Sequence, residues 1–92
     1  MLKIMLPDKL NAESGKMVYD IVSDKLKQRK TPLLLDGSEV KTIQPEGLGW
    51  LLTIVKLIKD AGLPKIIIRR PNRIIRDALL LANMQRMFDT EE

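Results

Sequence analysis

Two uninterrupted aliphatic runs, Leu33-Leu34-Leu35 and Ile66-Ile67-Ile68, constrain the fold of this chain more than anything else in it. The first lies between Pro32 and Asp36-Gly37, the second between Lys65 and Arg69-Arg70. A strand with one wet face alternates apolar and polar residues, whereas a continuous apolar run fits a strand buried on both faces, as inside a parallel sheet. Leu2, Ile4 and Leu6 alternate with Lys3 and Met5, so residues Leu2–Leu6 read as a further strand, closed by Pro7 and Asp8.

Helical spacing fills the intervals. Asn11 is a fair N-cap, Glu13 suits a first turn, and Leu10, Met17, Val18, Ile21, Val22 and Leu26 recur at helical spacing through about Lys27. The next segment, Lys27–Thr31, reads as a solvated turn, and Asp36-Gly37-Ser38 carries turn chemistry. A second helix runs from about Pro45 to Ala61, stopped by Gly62 and Pro64. Asn72 caps a third, with Ile74, Ile75, Ala78, Leu79 and Ala82 on its apolar face and Asn83 at its end. Met84, Met87 and Phe88 read as a short docked tail, and the closing Asp89-Thr90-Glu91-Glu92 as a frayed terminus. Alternating strands and helices argue for an α/β sheet with right-handed crossovers, of about four strands with three helices, in a single domain over residues 1–92. At this size the helices can occupy one face and leave the other bare.

Several function classes become less attractive on composition. The chain has no cysteine and no histidine. Disulfides, thiolate zinc sites and a cysteine nucleophile are therefore excluded, and the usual general base at neutral pH is missing. We expect no catalysis, no metal and no cofactor. The net charge of +4 suits an acidic partner but is too small to imply nucleic acid. The three aromatics, Tyr19, Trp50 and Phe88, are scattered rather than set to stack bases. No apolar run approaches the ~20 residues of a membrane span, and the N-terminus lacks a signal-peptide pattern, so the expectation is a cytosolic protein without membrane insertion.

The start of the second helix, Thr42-Ile43-Gln44-Pro45-Glu46-Gly47-Leu48-Gly49-Trp50, is unusual. Pro45 and Glu46 suit a first turn, yet Gln44 stands where Ser, Thr, Asp or Asn would cap it. On a wheel of about 100° per residue, Leu48, Leu51, Leu52, Val55 and Ile58 form one arc and Trp50, Ile54, Leu57 and Ala61 another. A helix outside a small sheet has one face to bury, so the second arc needs a partner. The first or third helix can cover it. Alternatively, Trp50, Ile54 and Leu57 form a docking surface for another protein or a second copy of the chain, making a homodimer.

Residues 32–52 resemble the central signature of the STAS domain, the fold of anti-sigma factor antagonists. In that signature a buried strand ends in Asp, as at Leu33–Asp36. An aliphatic step follows, as at Val40 and Ile43, and a glycine motif opens a helix, as at Gly47-Leu48-Gly49. Residues 61–88 are similar to the family's next strand, Pro-containing turn and last helix. The front of the chain is similar to lone STAS subunits of lipid ABC transporters and of chemotaxis clusters. The resemblance implies a protein-interaction module whose partner is a kinase-like anti-sigma factor or a chemotaxis-type histidine kinase complex, contacted through Gln44, Pro45, Glu46, Gly47, Trp50, Ile54 and Leu57. A non-enzymatic subunit of a lipid ABC transporter is the alternative. The resemblance also implies a phosphorylatable serine at the helix start, and that position holds Pro45, which has no hydroxyl. Glu46 then either completes a good helix start or supplies a fixed negative charge. Thr42 keeps a hydroxyl but reads as structural, as do Ser38 and Thr53.

Arg69, Arg70, Arg73 and Arg76 gather around the third helix's N-terminus. They could hold an anion or nucleotide, or form a solvated rim paired to Asp77 and Glu residues. Asp36 and Glu39 are close in sequence, but Asp36 more simply caps the turn.

Overall fold

A computed structural model describes residues 1–92. Four strands, β1 (Leu2–Met5), β3 (Leu33–Asp36), β5 (Ile66–Arg69) and β6 (Phe88–Glu91), form an all-parallel sheet in the order β1-β3-β5-β6. Two very short strands, β2 (Lys9–Leu10) and β4 (Thr42–Ile43), pair separately. The helices are α1 (Ala12–Gln28), α2 (Pro45–Asp60) and α3 (Arg73–Leu81), and a single 3-10 turn, Gln85–Met87, precedes β6. The α/β class, the four strands and the three helices agree with the sequence reading.

The sheet is laid down in one direction, so crossovers of one hand place every connecting helix on the same face. The core agrees. Leu33, Leu35, Ile66 and Ile68 share a face and join one buried cluster with Val18 and Val22 of α1, Leu51, Ile54 and Ile58 of α2, and Ile75 and Leu79 of α3. The other face carries Lys3, Met5, Leu34, Asp36, Ile67, Arg69, Asp89 and Glu91 in register. The central strand β3 is buried throughout, as its leucine run requires, while Ile67 of β5 is half-buried.

The helix ends obey local chemistry. Asn11 accepts from Ser14 N at 2.9 Å while Ser14 Oγ accepts from Asn11 N at 3.0 Å, a reciprocal capping box. Asn72 accepts from Ile75 N at 3.1 Å. Gly62 and Asn83 both take the left-handed conformation just past a helix, with φ 73° and 57°.

Three sequence expectations change. The closing residues are not frayed, because Asp89, Thr90 and Glu91 pair with Ile67, Ile68 and Arg69 as the outer strand β6. Met17 and Ile21 are 59% and 45% exposed, because α1 packs through Gly15, Val18, Val22 and the half-buried Tyr19 and Leu26 instead. Ile74 is 42% exposed and Ala82 is exposed, since only Ile75 and Leu79 of α3 point into the core.

Candidate functional site

The helix start singled out from the sequence lies beyond the carboxyl ends of the strands. At that end of this sheet β3 and β5 pass into Gly37–Glu39 and Arg70–Asn72, and α2 begins. The start of α2 is anchored by backbone instead of a side-chain cap: Gln44 N donates to Leu10 O at 2.9 Å, and the Gln44 side chain caps nothing. Gly47 lies against that same Leu10 carbonyl, so close that a Cβ would stand 2.6 Å from its carbon. Asn72 Nδ2 donates to Val40 O at 2.6 Å and ties the α3 start to the approach to α2. The first turn of α2 is thus clamped on its inner side and open on its outer side. Gln44, Pro45, Glu46 and Gly49 are exposed, and nothing stands within 4 Å of where a Gly49 Cβ would be.

Asp36 ends β3 beside this turn. Its Oδ1 accepts from Ser38 N at 2.9 Å, the turn role read from sequence, and its Oδ2 accepts from Arg70 Nη2. Burial raises the Asp36 pKa, but the Ser38 and Arg70 hydrogen bonds and the Arg70 charge outweigh it and lower the value to about 2. Arg70 reaches Asp36 from a left-handed backbone, φ 50°, immediately before Pro71. That conformation is uncommon for a residue with a Cβ and is tolerated where the surroundings over-determine it. Here Arg70 N donates to Glu91 O at 2.6 Å and the guanidinium is held by Asp36. The Asp36–Arg70 pair had no signal in the sequence, since the two residues are far apart in the chain and meet only through β3–β5 pairing.

The other arginines are paired as well. Arg69 Nε bonds Glu91 at 2.7 Å, Arg73 pairs with Asp77 at 3.6 Å, and Arg76 bonds Glu92 and the Pro71 carbonyl. The cluster is therefore a rim of ion pairs, two of them stapling β6. An anion at these arginines would have to compete with the carboxylates of Asp36, Asp77, Glu91 and Glu92. Among the acidic residues no group of three is placed to hold a metal.

Around α2 the arcs divide differently from the wheel. Ile54 is fully buried and Gly47 is buried, so neither is available to a partner, contrary to the sequence expectation. Trp50 and Leu57 are half-buried. The Trp50 ring packs on Tyr19 of α1 with centroids 5.3 Å apart and planes tilted by 46°, and its Cβ occupies space left by Gly15. The physical reason is position. As the middle helix of three on one sheet face, α2 buries its sheet side and its α1 flank together. Leu48, Leu52 and Val55, placed in the core arc from sequence, are only half-buried on the other flank.

No protein-family profile and no curated protein matches the sequence. Among solved structures, the fold is similar to the crystal structure of a candidate anti-sigma factor antagonist from Thermotoga maritima. The TM-score is 0.81 and the identity 27%, over 97% of this chain and 77% of that one. This chain has the STAS fold. The STAS resemblance seen in residues 32–52 and 61–88 therefore corresponds to real architecture: the strand ending at Asp36, the exposed turn at Gln44–Gly49, and the α3 segment after Pro71. Within the STAS fold, Pro45 occupies the first position of α2 and Thr42 is exposed on β4 two residues before the cap. No helix of the chain is long and apolar enough to cross a membrane.

Proposed function

We propose that this STAS-fold domain is a non-catalytic module that binds a regulatory protein through the exposed first turn of α2. Its partner is a kinase-like regulator of the anti-sigma or chemotaxis-kinase kind. The carrying observation is the clamped but open turn: Gln44, Pro45, Glu46 and Gly49 face solvent while Gly47 and Gln44 N hold the backbone against Leu10. A rigid surface binds with little ordering entropy. Pro45 has no hydroxyl, so the turn carries a fixed state in which Glu46 alone supplies negative charge at the helix start. The similar Thermotoga maritima structure, that of a candidate anti-sigma factor antagonist, supports this class of partner.

A photo-crosslinking residue placed at Glu46 in the source cell tests the reading. It should capture one protein that mass spectrometry identifies as having a kinase-type ATP-binding domain, and the same residue at Gln28 should not. Equal capture at both positions, or a Glu46 adduct with no such domain, refutes it. Protein purified from the same cells should carry no phosphate on residues 42–47. Stoichiometric phospho-Thr42 would overturn the fixed state.

A further inference from the structure

At the far end of the molecule from the α2 start is a groove of about 470 Å³. Its walls are the C-terminal half of α2, the approach to β5, and the 3-10 turn before β6. Strands β5 and β6 begin there, so it lies beyond the amino ends of the sheet. Ile58 and Ile66 form a buried floor, and the half-buried Leu52, Val55 and Leu63 continue it, with Met87 36% exposed at the edge. The polar residues lining it are Lys56, Lys59, Lys65 and Arg86, with no carboxylate among them. None of these four takes part in an ion pair, unlike the arginines at the other end. The chain holds 16 Lys and Arg against 12 Asp and Glu. Cations outside ion pairs occur elsewhere on the chain as well; the groove differs in setting four of them around an apolar floor.

We propose that this groove docks an acidic amphipathic helix of a partner protein. An apolar trough flanked by cations is complementary to a helix that presents aliphatic anchors between carboxylates. Lys56 and Lys59 lie about one turn apart on α2, Lys65 lies in the loop before β5, and Arg86 sits in the 3-10 turn. Cations spread over three segments suit several carboxylates along a helix better than one anionic head group. This surface is separate from the α2 start, so the inference stands independently of the proposal made for that turn.

The test uses the whole chain and synthetic helical peptides of about 18 residues, long enough to form a helix on a surface. One has Leu on one face and Glu elsewhere, a second replaces Glu with Lys, and a third scrambles the acidic peptide so that no apolar face forms. Calorimetry should show binding of the acidic amphipathic peptide, weakening as salt rises, with both comparison peptides at least tenfold weaker. Lys56→Glu with Lys59→Glu should weaken it about tenfold or more, while the same charge reversal at the exposed Lys9 and Lys41, at the opposite end of the molecule, changes it less than about twofold. If the reversed pair melts early, Lys56→Gln with Lys59→Gln should still weaken binding at least threefold. Equal affinity for the Lys peptide, or for the charge-reversed variant in a folded state, overturns the proposal. So does binding to phosphatidylglycerol vesicles with no binding of the acidic peptide, which would make the groove a membrane-facing surface.

Discussion

Gly47 and Gly49 stand two residues apart in one helix, and replacing each with alanine should shift stability in opposite directions. In isolation both changes favour the helix by up to about 1 kcal/mol. At Gly49 nothing opposes that gain, because the added methyl enters open space. At Gly47 the Cβ would stand 2.6 Å from the Leu10 carbonyl carbon and closer still to its oxygen. Leu10 cannot retreat cheaply: it is 1% exposed, β2 pairs with β4, and its oxygen already accepts Gln44 N at 2.9 Å. Separating α2 from β2 by roughly 1 Å would strain packing by about 1–3 kcal/mol and weaken a hydrogen bond worth about 1 kcal/mol. Net of the propensity gain, Gly47→Ala should destabilise by about 2 kcal/mol and lower Tm by about 8–16 °C, while Gly49→Ala raises it by a few degrees. Urea denaturation and thermal melts on both variants measure the difference, provided the urea slopes agree. A Gly47→Ala protein as stable as the parent, or two shifts of the same sign, would refute the close approach of α2 to β2.

Trp50→Ala should destabilise by about 2 kcal/mol, below the ~3–5 of a fully buried aromatic, and a double-mutant cycle with Tyr19→Ala should show coupling of about 0.5–1.5 kcal/mol; no loss in urea titration would mean that α1 does not cover the indole. Asp36 has a folded pKa below its ordinary 3.8, at about 2. Its contribution is therefore present above about pH 4 and lost as pH falls toward 2, a loss of about 1–2 kcal/mol once the half-exposed Arg70 is allowed for. Acid titration of stability should show this, and Asp36→Asn should flatten it; an unchanged profile in the variant would remove the Arg70 pair from the account. Phe88→Ala should cost about 3 kcal/mol, because Phe88 is 5% exposed and starts β6. Deleting residues 89–92 should also lower Tm, whereas a frayed tail would leave both measurements unchanged.

Much of the architecture was readable because it is encoded locally. The buried runs at Leu33–Leu35 and Ile66–Ile68, the caps at Asn11 and Asn72 and the stop at Gly62 each act within a few residues. The candidate turn was readable for the same reason: Pro45, Glu46 and the absence of a capping side chain at Gln44 are all local features. Which residues around it are accessible was not readable. A helical wheel supplies angles but no neighbours, and Ile54 is buried only because α1 and the sheet meet on either side of it.

By itself, then, the order of residues determined the alternation of strands and helices, the aliphatic core and the missing hydroxyl at Pro45. Tertiary structure alone decided the rest. Asp89-Thr90-Glu91 contains no apolar residue to announce a strand; it is one because β5 offers an unpaired backbone edge and Arg69 and Arg76 hold Glu91 and Glu92. Backbone hydrogen bonding does not depend on side-chain hydropathy, so such a strand leaves no period-2 pattern to read. The two glycines of Gly47-Leu48-Gly49 look equivalent in sequence, yet one touches the Leu10 carbonyl and the other faces open space. Contacts between residues far apart in the chain depend on where whole elements come to rest, and that is settled by packing three helices on one face of a four-stranded sheet.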